Sequence, residues 1–195
     1  MKVALIRGRF HSVWEPLALG YLHAWTRDME QIDPYLMFDG HFDPVEEIVN
    51  GCRDADIIGF SGTSSQVPWS LRVAAQIKEV NSEGKIVIGG YGPSVYPSKY
   101  IDDPRCDIIV VGEGEKPWRT IIEREGNIEP KVYFEPPIQN LDTIPFPDRR
   151  WIRFERCAAI AKKDEGRTVT SVWGNRGCLR RCVFCADGSA KTIYG

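Results

Sequence analysis

The sequence lacks any apolar run approaching the about 20 residues of a membrane-spanning helix, so the reading made from it has no membrane partner. Its first apolar stretch, residues 3–6, is too short for the core of a secretory signal. It lacks an excess of positive charge. The net charge is -2, with lysine and arginine scattered, which gives no polyanion-binding signal and no nucleic-acid partner. It lacks the Gly-x-Gly-x-x-Gly string that would mark a dinucleotide site. Its six cysteines are not spaced as in a secreted disulfide scaffold, and Cys52, Cys106 and Cys157 stand alone, as buried free thiols do. A reducing cytoplasm is the compartment this usage predicts. What remains is a chain of 195 residues, 43% hydrophobic and 27% charged, sized for one globular domain and an extension.

Up to about residue 130, strand-like and helix-like segments alternate. Strands are expected at 3–6, 35–38, 57–60, 85–88 and 108–111, each short and apolar apart from Lys85 at the start of the fourth. Helices are expected at 16–28, where Pro16 suits a first turn, and at 44–52, with Asp43 as cap. The next carries the stripe Trp69, Val73, Ile77 and Val80 and is stopped by Asn81 and Gly84. A weak helix limited by Pro97 follows at 94–101, and a last one at 115–125 packs Trp118, Ile121 and Ile122. Short apolar strands alternating with helices predict an α/β fold with a parallel sheet covered on both faces. The expected architecture is a doubly wound, five-stranded, Rossmann-like sheet in the flavodoxin-like order 2-1-3-4-5.

Ligands of such sheets sit beyond the carboxyl ends of the strands, near the switch point between strands 1 and 3. The loops there are unusual. They read Gly8-Arg9-Phe10-His11-Ser12-Val13-Trp14, Ser61-Gly62-Thr63-Ser64-Ser65, Gly89-Gly90-Tyr91-Gly92-Pro93 and Gly112-Glu113-Gly114-Glu115. Each alone is compatible with tight turn geometry. Four on one edge point to a large ligand approached closely by backbone. Glu113 and Glu115 could be an acid–base pair, but the carboxylate of Glu115 is better explained by the helix start it occupies. His23 and His41 read as surface or packing residues.

The three remaining cysteines, Cys178, Cys182 and Cys185, lie in Arg176-Gly177-Cys178-Leu179-Arg180-Arg181-Cys182-Val183-Phe184-Cys185. Three thiolates in one loop can ligate three irons of a 4Fe-4S cluster and leave the fourth iron open to substrate. The competing reading is a zinc knuckle, which needs a fourth protein ligand that the ten residues after Cys185 do not offer. Arg176, Arg180 and Arg181 read either as a solvated face or as charge compensation for an anionic cluster. The spacing, the glycine before Cys178 and Phe184 before the last cysteine resemble the motif of the radical S-adenosylmethionine enzymes. That resemblance implies an open iron chelating S-adenosylmethionine, with Phe184 beside the cofactor, and reductive cleavage to a 5'-deoxyadenosyl radical.

A second resemblance spans residues 1 to about 150. Pro16-Leu17-Ala18-Leu19-Gly20-Tyr21-Leu22, Gly59-Phe60-Ser61, Gly89-Gly90, Val111-Gly112-Glu113-Gly114-Glu115 and Leu141-Asp142-Thr143-Ile144-Pro145-Phe146-Pro147-Asp148 follow one another as in the cobalamin-binding domain found ahead of many radical S-adenosylmethionine barrels. It implies cobalamin held by Arg9, His11, Trp14, Ser61, Thr63, Ser64, Gly89, Gly90, Tyr91, Gly112, Glu113 and Gly114. The chain departs from many cobalamin carriers in having no Asp-x-His-x-x-Gly string, so His11 is expected in the pocket wall rather than on cobalt.

The organisation this predicts is a cobalamin-binding domain over 1–130, a proline-rich connector over 131–166 and the start of a radical S-adenosylmethionine barrel over 167–195. Tyr133-Phe134 is expected as an edge strand, a short helix or strand near 151–161, and a strand at 168–173 delivering the cysteine loop. A barrel of this kind needs on the order of 150 to 200 further residues, expected downstream or on another chain. The activity implied is methyl transfer to an unactivated carbon of a small-molecule or peptide substrate, with an electron donor such as flavodoxin or ferredoxin. The alternatives are a non-catalytic cobalamin module and a cofactor-free spacer domain.

Overall fold

A computed structural model of the chain describes residues 1–10, 14–129, 131–178 and 182–185. The sheet has six parallel strands: β1 (Val3–Arg7), β2 (Tyr35–Asp39), β3 (Ile57–Ser61), β4 (Lys85–Gly89), β5 (Ile108–Val110) and β6 (Val132–Tyr133). Their order is β2-β1-β3-β4-β5-β6. The expected five-strand order is therefore present, extended at its edge by the two-residue β6, one position earlier than the sequence suggested.

The helices are α1 (Leu17–Thr26), α2 (Val45–Gly51), α3 (Val67–Val80), α4 (Tyr91–Val95), α5 (Glu115–Glu123) and α6 (Phe154–Glu165). Side chains alternate across each strand, and the core divides accordingly. Ala4, Ile6, Ile58, Phe60, Ile86 and Ile88 face α2 and α3, meeting Ile48, Leu71, Ala74 and Ile77. Val3, Leu5, Ile57, Val87 and Ile108 face the other way, meeting Leu19 of α1 and Trp118, Ile121 and Ile122 of α5. Ile58, Ile86 and Ile109 are fully buried, each worth about 1.5–3 kcal/mol of transfer from water. Two-sided burial is why these strands read as continuous apolar runs.

Three local expectations need correction. Asp43 does not cap α2; Pro44 holds that position with no side-chain hydrogen bond. The Asp43 carboxylate instead accepts the Asp39 backbone N–H at 2.8 Å and pairs with Arg153 and Arg156. The segment 168–173 is irregular rather than a strand. The Ser171 N–H goes to the Glu15 carboxylate, so it joins no ladder. Pro97 does limit the fourth helical stretch, but the α-helix starts earlier, at Tyr91, and residues 97–99 form a 3-10 turn.

The connector packs rather than merely spacing. The Asp148 N–H donates to the Gly20 carbonyl at 3.0 Å, and Ile152 joins the α1–α5 side of the core. Cys52, Cys106 and Cys157 are buried and free, as expected. Among the described residues no helix is long and apolar enough to cross a membrane.

Candidate functional site

Parallel pairing in register lines up the strand ends. Asp39, Arg7, Ser61 and Gly89 form one row across β2, β1, β3 and β4. The chain leaves β1 for α1 on one face and leaves β3 for α3 on the other, so the strand order switches here, the position at which such sheets bind ligands. Gln66 bridges the two loops: its amide donates to the Gly8 carbonyl at 2.6 Å, and its side-chain oxygen accepts the Thr63 N–H at 2.8 Å. Beside it Arg7 is buried, donating from Nε to Asp39 at 2.9 Å and from Nη1 to the Trp14 carbonyl. Its Nη2 is buried with no hydrogen-bond partner among the described residues.

The β3 and β4 loops stack backbone on backbone. Gly62 N–H donates to Gly89 O at 3.2 Å, and Gly92 N–H donates to Gly62 O at 3.1 Å. Gly90 has φ +93°, and a Cβ there would lie 2.8 Å from the Gly62 backbone, so only glycine fits. The β5 loop joins them through Ser94, whose hydroxyl donates to Gly90 O at 2.7 Å and accepts Gly112 N–H at 2.9 Å. Thr63, Ser64 and Ser65 stay exposed on this rim, with Arg9 and the rings of Trp14 and Tyr91. The result is a shelf of peptide groups and hydroxyls edged by aromatic surface. Exposed hydroxyls beside aromatic faces suit a large ligand that is part polar and part apolar.

Of the residues predicted for the pocket, Arg9, Trp14, Ser61, Thr63, Ser64, Gly89, Gly90, Tyr91, Gly112, Glu113 and Gly114 all lie on this edge. His11 lies outside the described residues. Glu113 is taken up by the protein, accepting the Ile138 N–H at 2.9 Å and facing Arg176 at 3.5 Å.

The cysteine segment reaches the same edge. Glu15 has a side chain 2% exposed and gathers Arg149, the Thr170 hydroxyl at 2.8 Å and the Ser171 N–H at 2.5 Å. Further on, Trp173 stacks on Tyr21 of α1, centroids 5.0 Å apart and planes 14° apart. Arg176 lies over both rings and donates to Glu115 at 2.5 Å. Neither sequence reading of Arg176 anticipated these partners; its side chain is 16% exposed, so it is not part of a solvated face. Arg180 and Arg181 lie outside the described residues. Sequence reasoning also missed Glu15, Gln66 and Arg149. The one available signal was an acid placed directly before Pro16 at a helix start.

Cys178 and Cys182 are exposed and Cys185 is half-buried; the Cys185 N–H donates to the Cys182 carbonyl at 3.1 Å, closing a turn. Among the described residues no three His, Cys, Asp or Glu side chains converge as a metal site. Three thiolates within eight residues of sequence are a donor set that fits an iron–sulfur cluster, and such sites rarely preform without their metal. Phe184 is exposed beside them.

Comparison with known proteins agrees with the edge chemistry. The family model of the B12 binding domain matches residues 3–122. An uncharacterized methyltransferase of Pyrococcus horikoshii is 30% identical over 192 residues, covering 88% of this chain and 40% of that protein. The anaerobic magnesium-protoporphyrin IX monomethyl ester cyclase of Rubrivivax gelatinosus is 26% identical, covering 96% of this chain and 39% of that protein. The cobalamin-dependent radical SAM methyltransferase TokK of Streptomyces tokunonensis is 23% identical, covering 90% and 29%. The chain thus spans well under half the length of these relatives.

Proposed function

The chain belongs to the B12-binding domain family, and on that premise we propose that it is the cobalamin-holding part of a radical S-adenosylmethionine methyltransferase acting on an unactivated carbon. The observation that carries this reading is positional: the cysteine segment is anchored by Glu15 and Glu115 to the same sheet edge that bears the Ser61, Gly90 and Gly112 loops. Methyltransferase and radical chemistry among its relatives supports the same reading.

When bound, cobalamin supplies a transferable methyl group, and a 4Fe-4S cluster with S-adenosylmethionine supplies a radical that removes a substrate hydrogen. The chain's own residues bind and position. Ser61, Thr63 and Ser64 offer hydroxyls and peptide groups to the amide fringe of the corrin. Gly89, Gly90, Gly112 and Gly114 let backbone approach it, and Trp14 and Tyr91 wall its apolar edge. Exposed Arg9 offers donors to its carbonyl oxygens. Glu113 acts through Arg176 rather than on the cofactor. Cys178, Cys182 and Cys185 would hold three irons of the cluster, and Phe184 would contribute to the S-adenosylmethionine site. The substrate is a small molecule or peptide, the electron donor a flavodoxin or ferredoxin, and the setting the cytoplasm.

The test is anaerobic production of the whole protein with iron and hydroxocobalamin. The reading requires one corrin and about four irons per chain, with 5'-deoxyadenosine formed from S-adenosylmethionine on reduction. A corrin without cluster absorbance makes the protein a carrier; neither spectrum leaves a spacer domain.

A further inference from the structure

We propose that Arg176 is a positioning residue: held by Glu113 and Glu115, it fixes where the cysteine loop departs from the cofactor edge and links the order of that segment to occupancy of the edge. This rests on the reading that the edge holds cobalamin.

The contact differs from an ordinary surface ion pair. The Arg176 side chain is 16% exposed and that of Glu115 5%, so solvent screens them little. Arg176 reaches Glu115 at 2.5 Å through Nη2 and Glu113 at 3.5 Å through Nη1. Its guanidinium lies 5.5 Å from the Tyr21 ring centroid and 5.4 Å from that of Trp173. Three elements therefore orient one planar group, a task for a guanidinium rather than an ammonium.

Immediately after it side-chain packing thins, although Asn175 Nδ2 still donates to the Gly177 carbonyl at 3.2 Å. Gly177 has φ +75° with no atom within 4 Å of a Cβ position, and Cys178 beyond it is exposed. Arg176 is thus the last mostly buried, ion-paired side chain before Cys178.

On the other side the anchor is continuous with the cofactor loops. Gly90 O, the Ser94 hydroxyl and Gly112 N–H are joined in series at 2.7 and 2.9 Å. Glu113 follows Gly112 directly and is itself fixed by the Ile138 N–H at 2.9 Å. A ligand that settles the Gly90 and Gly112 loops also settles the carboxylates that grip Arg176. Linkage then requires the reverse: releasing Arg176 weakens that ligand by the same factor.

The experiment follows hydrogen–deuterium exchange of the 167–178 segment in the whole protein, with and without hydroxocobalamin, beside the hydroxocobalamin dissociation constant. In the unaltered protein, hydroxocobalamin is expected to slow exchange of this segment. In Arg176→Gln, exchange is expected to rise about tenfold, to lose its response to hydroxocobalamin, and the dissociation constant to rise about fivefold or more. Exchange of β1 and β3 is expected to stay unchanged, which a general loss of stability would not allow. Arg176→Lys, which keeps the charge without the fork, is expected to fall between the two and serves if the glutamine variant does not fold. Unchanged exchange at 167–178 in both variants overturns the anchor. Faster exchange with an unaltered dissociation constant overturns the linkage. An unaltered protein that binds no hydroxocobalamin defeats the cobalamin reading and the linkage with it, while the anchor is still judged by exchange alone.

Discussion

Glu15, just ahead of α1, accepts the Ser171 backbone N–H at 2.5 Å, joining positions 156 residues apart. The same carboxylate also holds Arg149 and Thr170. One buried acid therefore fastens the extension to the loop that follows the first strand. Glu15→Gln keeps the volume and removes the charge, leaving Arg149 without its counter-ion. Because Arg149 is 32% exposed, water takes up part of the loss. The expected cost is about 2 kcal/mol, below the range for a fully buried pair. Urea unfolding checks it: the midpoint falls with little change in slope, and residues 168–173 exchange faster. A midpoint within error of the unaltered protein contradicts the anchor.

Gly90 and Gly89 are neighbours with opposite expectations. At Gly90 an added Cβ meets the Gly62 backbone at 2.8 Å in a conformation with φ +93°. At Gly89 the nearest atom is the Val110 Cβ at 3.5 Å, an ordinary contact. Gly90→Ala is expected to cost about 1–3 kcal/mol, and Gly89→Ala to stay within about 0.5 kcal/mol. Thermal unfolding of both separates a backbone requirement from a general intolerance of side chains at the edge.

His23 stacks on Trp151, centroids 4.1 Å apart and planes 7° apart, with Asp148 at 3.3 Å. Burial lowers its pKa from 6.5; the Asp148 carboxylate opposes this and the Arg27 charge adds to it. The unfolded chain then binds more protons as the pH drops, so the stability His23 contributes is present above pH 6.5 and is lost as the pH falls through the folded value. Urea midpoints measured from pH 7.5 downward are expected to decline on the acid side, and His23→Phe to flatten that decline. An identical slope in the variant contradicts the assignment.

Much of this architecture was legible in the sequence because two-sided burial leaves a simple mark. The apolar runs at 3–6, 57–60 and 85–88 can be little else in a chain of this length, and the glycine- and serine-rich stretches after them fall on the carboxyl edge once the strands run parallel. What stayed hidden was long-range pairing of charge. Nothing local in Arg176 says that it meets Glu115 across 61 positions, nor in Glu15 that it meets Ser171. Asp43 misled for a related reason: its position suits a cap, but Arg153 and Arg156 approach from a distant segment and engage it. The strand-like alternation at 168–173 likewise records side-chain periodicity and says nothing of whether a neighbouring strand is at hand.

The six thiols divide cleanly by environment. Cys52, Cys106 and Cys157 are 0%, 2% and 4% exposed, and burial raises the pKa of each, that of Cys52 to about 12. Since thiolate is the reactive form, anaerobic titration with a disulfide reagent at pH 8 is expected to find three fast thiols, Cys178, Cys182 and Cys185, and three that react only after unfolding. Iron loading is expected to protect the fast set and leave the slow set as it was. Fast reaction of five or six thiols contradicts the packing.

The most direct measurement of the central claim is equilibrium titration of the protein with hydroxocobalamin, followed by the corrin spectrum and by retention on gel filtration. The account predicts saturation at one corrin per chain, with affinity reduced when the rim substitutions Ser64→Ala and Tyr91→Ala are combined in one variant. No retained corrin at any concentration, or retention indifferent to those rim changes, contradicts it.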